Sequence, residues 1–136
     1  MTYPEQLMEL IEDFQSIDDR MERLEYVFDL ASEVNELPEK DWTDSTRING
    51  CQSEAHVRVD IDNNSVRLYS GADSKLVQGL MGILTIAIDH QPIEVARNLT
   101  PDFAMTMGIL NSLSPSRSNG FRNMFDKVMS EISEEE

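Results

Sequence analysis

The chain has 136 residues, which is enough for a single domain, 1–136, with its own hydrophobic core. Lys and Arg number 11 against 26 Asp and Glu, and the resulting net charge of −15 would repel a phosphate backbone, so we expect no nucleic-acid partner. The sequence has no apolar stretch long enough to span a bilayer and no signal-peptide pattern at its start, which predicts a cytoplasmic protein with no membrane contact.

The acidic excess is concentrated in the first 40 residues, where twelve acids face three basic residues. Such a surface suits docking to a basic protein partner. A solvated acidic face that keeps the protein in solution explains the same charge, and the sequence leaves both interpretations open.

Two amphipathic helices are predicted at the N-terminal end. Pro4 suits the first turn of one helix, whose apolar stripe is Leu7, Leu10, Ile11 and Phe14. The second helix has Ser16 or Asp18 as its candidate cap, and its stripe is Met21, Leu24, Val27, Phe28 and Ala31. Residues 37–50 follow neither a helical nor a strand period, so they are predicted to form a long loop.

A β-hairpin is predicted next, because the hydrophobic period changes to two. One face of the first strand carries Ala55, Val57, Val59 and Ile61, while polar side chains alternate with them. Asn63 and Asn64 suit a tight turn with positive φ, and Val66 and Leu68 continue the alternation in the second strand.

The remaining elements are predicted to be helical. A buried helix follows Asp73 or Ser74, and its Gly79 and Gly82 predict close packing against the sheet. Pro92 and Pro101 each begin a short helix. A long amphipathic helix begins at Ser114-Pro115, with the stripe Phe121, Met124, Phe125, Val128, Met129 and Ile132. The predicted fold is α/β in the broad sense (α+β), a small antiparallel sheet with helices packed on one side.

Cys51 is the main candidate for chemistry. It is the only cysteine, so an internal disulfide is excluded, and with His56 and His90 it makes a poor zinc site, so we expect no bound metal. It follows Gly50 between the predicted loop and the first strand, where strand parity places its thiol on the side of Ala55. A lone cysteine is often a small buried hydrophobe, but the polar flanks here favour a reactive thiol.

Charged and aromatic residues near Cys51 are candidate supporting groups. Arg47, and Arg58 if the sheet brings it close, would favour the thiolate. Arg117 stands in the first turn of the last helix, where a cation opposes the helix dipole, so we expect either an anionic partner near Cys51 or a structural salt bridge. His56 is predicted to be a surface histidine rather than a base. Trp42 anchors the loop either to the body of the protein or to a partner.

Two segments carry a family resemblance. The stretch Arg47 to Ser53, with its Gly-Cys-Gln-Ser core, and the stretch Leu113 to Gly120 resemble the corresponding motifs of the SufE sulfur-acceptor proteins. Residues 71–74 and the pair Gly79-Leu80 agree as well, so the resemblance extends over nearly the whole chain.

The resemblance implies a fold shared with the iron-sulfur scaffold proteins and a role beside a pyridoxal-phosphate-dependent cysteine desulfurase. Cys51 would accept persulfide sulfur from the desulfurase, stimulate that enzyme, and pass the sulfur to an iron-sulfur cluster scaffold complex. Arg117 would be a supporting residue. The family pattern implies no cofactor of its own, a covalent cysteine persulfide intermediate, no independent turnover, and a monomer or weak dimer.

Three other functions compete with this interpretation. A cluster scaffold of the same fold normally needs several thiolates, and this chain has one. A non-catalytic adaptor that stimulates the desulfurase by contact alone would leave Cys51 incidental. A thiol hydrolase or redox enzyme would need a base and an orienting residue beside Cys51, and the sequence offers no clear pair.

Overall fold

The computed structural model describes residues 3–50 and 53–135. Within these ranges the chain forms an antiparallel hairpin and the following helices: α1 Glu5–Gln15, α2 Arg20–Asp29, α3 Lys75–Ile88, α4 Ile93–Arg97, α5 Asp102–Met107, α6 Ile109–Ser112 and α7 Pro115–Glu135. Short 3₁₀ helices occupy Leu30–Glu33 and Glu39–Asp41. No helix in the described part combines the length and apolar character needed to cross a bilayer.

The N-terminal helices follow the predicted periodicity only in part. The whole predicted stripe of α1 is buried. In α2 the cap is Asp19, which accepts a hydrogen bond from the Met21 backbone, so the prediction of Ser16 or Asp18 was wrong. Val27 is the buried residue of α2, whereas Met21 is 60% exposed, because the helix contacts the body along a narrow seam.

That seam explains the two glycines of α3. A Cβ at Gly79 would collide with the backbone carbonyl of Val27, and one at Gly82 would collide with that of Leu30. The close packing predicted for these glycines therefore exists, but its direction was wrong: α2 and the following 3₁₀ helix approach them, and the sheet does not. Glycines in a buried helix indicate that another element approaches closely, but they do not identify that element.

The hairpin consists of β1 Ala55–Asp62 and β2 Ser65–Ala72, paired so that Val59 lies opposite Leu68. Asn63 and Asn64 have φ of 55° and 67°, as the predicted tight turn requires. One face of the sheet enters the core through Ala55, Val57, Val59, Val66, Leu68 and Ala72. Because α3 contacts β2 and α7 contacts β1, the predicted α+β fold is confirmed.

The predicted long loop is more ordered than its composition indicated. Besides the 3₁₀ helix, it forms two backbone bonds along the outer edge of β1, from the Ile48 N–H to the Ala55 carbonyl (2.8 Å) and from the Val57 N–H to the Thr46 carbonyl (2.9 Å). These bonds satisfy edge groups that the two-stranded sheet would otherwise leave to solvent. The segment before Cys51 is therefore fixed antiparallel to the strand that follows Cys51.

The C-terminal elements agree with the predicted pattern. The helices after Pro92 and Pro101 are present, and Gly108, with φ of 84°, separates the second of them from α6. Of the predicted stripe of α7, Met129 is partly buried and the others are buried, namely Phe121, Met124, Phe125, Val128 and Ile132. This apolar stripe packs α7 against β1, and the first turn of α7 therefore lies next to Ser53.

Candidate functional site

The candidate site is built around the connection between Ile48 and Ala55. Cys51, the predicted acceptor, and Gln52 lie outside the described residues, so the site is defined here by the residues that flank them. Gly50 ends the first flank with φ of 80°, a conformation that glycine adopts without strain. Ser53 begins the second flank.

Helix α7 bonds to both flanks. The Arg117 Nη1 atom donates to the Ser53 Oγ atom at 3.0 Å, and the Asn123 amide nitrogen donates to the Gly50 carbonyl at 3.2 Å. Farther along the same helix, Lys127 Nζ donates to the Ser45 carbonyl at 2.9 Å. The residues immediately before and after the Cys51-Gln52 pair are thus fixed to one rigid element.

Arg117 lies where the sequence placed it, in the first turn of α7, and the structure gives it a different kind of partner. Its described side-chain contact is a neutral hydroxyl, that of Ser53, and no carboxylate in the described ranges forms an ion pair with it. Ser114 Oγ accepts from the Arg117 backbone N–H at 3.4 Å. The expected structural salt bridge is therefore absent from the described part, and an anionic partner at Cys51 stays a prediction.

The prediction that His56 is a surface residue was wrong. Its side chain is 1% exposed and its ring stacks on Trp42, with centroids 4.6 Å apart. Its Nδ1 lies 2.7 Å from Thr46 Oγ1, and its Nε2 lies 2.9 Å from Glu54 Oε1. Strand alternation correctly put His56 on the polar face of β1, but it did not reveal that the preceding loop folds over that face.

Trp42 anchors the loop to the protein's own body, which decides between the two roles predicted for it. Its indole N–H donates to the Leu37 carbonyl at 2.9 Å, while its ring covers His56. Gly71 allows this arrangement, since a Cβ there would lie 2.8 Å from the indole nitrogen. The loop before Cys51 is held by this stack.

Glu54 links the loop to the buried histidine. It accepts hydrogen bonds from His56 and from Arg47, and these two donors lower the pKa of its carboxyl below the ordinary value. Arg58 pairs instead with Asp60 at 3.2 Å. Both arginines have acids as partners, and their proposed effect on the Cys51 thiolate stays a prediction because the thiol lies outside the described residues.

The sequence did not single out Asn123, Lys127 or Ser53. Asn123 and Lys127 are four residues apart on α7, and each is next to a buried residue of the apolar stripe. The helical period therefore predicts that they share one face of the helix. The sequence does not predict which residues they contact, because those contacts depend on how α7 crosses β1. Among the described residues no group of three or more His, Cys, Asp or Glu is arranged to hold a metal ion.

Comparison with known proteins gives a consistent family. The SufE model, described as an Fe-S metabolism associated domain, matches residues 8–132. A SufE-like protein of Synechocystis is 31% identical over 125 residues, covering 91% of this chain and 78% of the relative. A protein of Wigglesworthia glossinidia brevipalpis named cysteine desulfuration protein SufE is 27% identical over 118 residues, covering 84% and 81%.

A solved structure supports the fold independently of sequence. The solution structure of a hypothetical protein from Thermus thermophilus superposes with a TM-score of 0.84 at 20% identity and covers 98% of both chains. The family match spans both segments that flank Cys51 and the helix that holds them. This chain therefore belongs to the SufE family of Fe-S metabolism associated domains.

Proposed function

We propose that this protein accepts sulfur on Cys51 from a pyridoxal-phosphate-dependent cysteine desulfurase, stimulates that enzyme, and delivers the sulfur for iron-sulfur cluster assembly. Membership of the SufE family supports a role in Fe-S metabolism. The observation that carries the assignment to Cys51 is that α7 bonds to Gly50 and to Ser53, one residue before and two residues after the cysteine. A segment that only filled space would not need both attachments.

The proposed transfer is a thiolate–persulfide exchange. The Cys51 thiolate attacks the outer sulfur of the donor's cysteine persulfide, a new S–S bond forms on Cys51, and the donor's S–S bond breaks. The donor cysteine leaves as a thiolate, so no external oxidant or reductant is needed. A second exchange of the same kind, in which a thiolate of the scaffold attacks the outer sulfur on Cys51 and the Cys51 thiolate leaves, would release the sulfur.

The surrounding side chains are consistent with a nucleophile that needs no dedicated base. Both ring nitrogens of His56, the histidine nearest in sequence, are already bonded to Thr46 and Glu54. A persulfide exchange between thiols requires a thiolate, and nearby cationic groups favour that form. Arg117, held at Ser53, is the proposed supporting cation.

The test measures alanine release by the cysteine desulfurase of the source organism with and without this protein. Wild-type protein should raise the turnover rate, and Cys51→Ser should give no stimulation while keeping the wild-type melting temperature and circular dichroism. Equal stimulation by the Ser variant would overturn the carrier function and leave only contact activation. A chain with Ser45→Ala, an exposed position in the same loop, controls for general effects on docking.

A further inference from the structure

A cleft of about 550 Å³ opens beside Glu54, which directly follows residues 47–53, the Cys51 segment. Its walls come from the 3₁₀ region, the end of β2 and the start of α3, and they include Trp42 and Glu54. The volume lies within the roughly 300–1,000 Å³ range of sites that bind side chains and small ligands. Glu54 is three residues after Cys51 in the sequence, so an occupant of the cleft borders the flank that begins at Ser53.

The cleft is negatively charged. Four acids, Glu36, Glu39, Glu54 and Asp73, line it, and no Lys or Arg lines it. Glu54 is paired with Arg47, but the other three carboxylates form no ion pair with any residue in the described ranges. Unpaired acids around a concavity raise the local concentration of cations and disfavour anions.

A second observation points to a missing ligand group. Ser70 lines the cleft and is fully buried, yet its hydroxyl has no hydrogen-bond partner among the described residues. Buried hydroxyls without a partner are rare in folded proteins because the lost hydrogen bond to water is not replaced. A donor that reaches this hydroxyl through the wall of the cleft would supply one.

We propose that this cleft, defined by Glu36, Glu39, Trp42 and Ser70, receives an arginine side chain of the sulfur-donating protein when that protein docks over Cys51. This inference rests on the proposed function for the identity of the partner. A guanidinium combines several planar donors for carboxylate and hydroxyl oxygens with a face that stacks on an indole. Lysine offers the same charge without the planar fork.

A second acidic cleft, lined by a different set of residues, provides the matched control. It has a volume of about 430 Å³, it is also lined by four acids, including Glu9 and Glu33, and it lies among α1, α2, the 3₁₀ helix Leu30–Glu33 and the end of α3. It contains His90 and no residue of the Cys51 segment. Removing the same number of charges from each cleft therefore distinguishes an effect of the first cleft from a general effect of the protein's net charge.

The first experiment compares Glu36→Gln/Glu39→Gln with Glu9→Gln/Glu33→Gln as sulfur acceptors from the desulfurase. All four carboxylates are exposed, so neither pair should disturb folding. The first pair should raise the acceptor concentration for half-maximal transfer by about tenfold, with an unchanged maximal rate, while the second pair stays within about twofold of wild type. Equal effects of the two pairs, or no effect of the first, would overturn the inference.

The second experiment needs no partner protein, because Trp42 is the only tryptophan and lines the cleft. Titration with N-acetylargininamide should change the Trp42 fluorescence saturably, and N-acetylglutaminamide should not. The change should disappear in Glu36→Gln/Glu39→Gln and persist in the control pair. A response that survives in the first pair, or equal responses to both amides, would contradict the site.

The two experiments distinguish failure of the inference from failure of the proposed function. Absence of sulfur on the wild-type protein at any desulfurase concentration would refute the proposed function, and the titration would still decide whether the cleft binds a guanidinium.

Discussion

The contact between Arg117 and Ser53 can be tested by a double-mutant cycle. Arg117→Ala removes a hydrogen bond from a cation to a neutral, partly buried hydroxyl, and a hydrogen bond with one charged partner contributes about 1.5–3 kcal/mol net. The same change also removes a cation from a helix N-terminus, where it is unfavourable by about 0.3–1 kcal/mol. The two terms oppose each other, so Arg117→Ala alone should lower the free energy of unfolding by about 1–2 kcal/mol.

The cycle isolates the contact itself. Urea unfolding of wild type, Arg117→Ala, Ser53→Ala and the double variant should give a coupling free energy of about 1.5–3 kcal/mol, because the dipole term is the same on both sides of the cycle and cancels. In sulfur transfer, each single variant should slow the reaction, and the double variant should be no slower than Arg117→Ala. A coupling energy near zero, or multiplicative losses of rate, would refute the conclusion that Arg117 acts through the Ser53 flank.

Three further changes probe the surroundings. Gly50→Ala should destabilise the protein by about 1–2 kcal/mol, because alanine is strained at φ of 80° and its Cβ would press on Asn123. Gly79→Ala should cost about 1–3 kcal/mol and lower the melting temperature, because the new methyl group meets the carbonyl of Val27. The Glu54 carboxyl has a lowered pKa in the folded state, so the stability it contributes is present above about pH 4.5 and is lost as the pH falls further. Glu54→Gln should therefore be less stable than wild type at pH 7, and the difference should shrink in acid.

The two glycine predictions have control variants. Measured in an Asn123→Ala background, which already lacks the Asn123 bond to Gly50, Gly50→Ala should cost less than in wild type, because the crowding is gone and the strain at φ of 80° remains. Lys75→Ala, on an exposed face of α3, should leave the melting temperature within about a degree of wild type. A wild-type melting temperature for Gly79→Ala, or a difference between Glu54→Gln and wild type that is independent of pH, would contradict the packing and the ion pairing described here.

Local patterns predicted the elements of this fold well. The stripes of α1 and α7 and the Asn63-Asn64 turn follow from period and from backbone preference, which depend on near neighbours in the sequence. The cap of α2 was misplaced by one residue from Asp18, because several adjacent polar side chains satisfy the same rule. Such errors are small, since they do not alter which face of a helix is buried.

The errors at the site have a different origin. The burial of His56 depends on Trp42, fourteen residues earlier, folding over the polar face of β1. The partner of Gly79 depends on the path of α2. The sequence indicated a close approach at Gly79 and nothing unusual at His56, and in both cases the contact is made by a distant segment. The attachment of Asn123 to Gly50 was missed for the same reason.

Cys51 was predicted as the acceptor from its sequence context and family motif, and the described flanks on both sides of it are bonded to α7. Arg117 was predicted as a supporting residue, and its bond to Ser53 is consistent with that role. What the residues alone could not supply is the cargo. The proposal that the cargo is sulfur rests on membership of the SufE family, so it is the claim that most needs a direct chemical test.

The most direct measurement is the intact mass of the protein after incubation with a cysteine desulfurase and cysteine, followed by removal of the free amino acid. The proposed function predicts a gain of one sulfur atom that disappears on treatment with a thiol reductant, maps to the peptide containing Cys51, and is absent in Cys51→Ser. An unchanged mass for the wild-type chain while the desulfurase turns over, or an equal gain in the Ser variant, would contradict the claim that Cys51 carries sulfur.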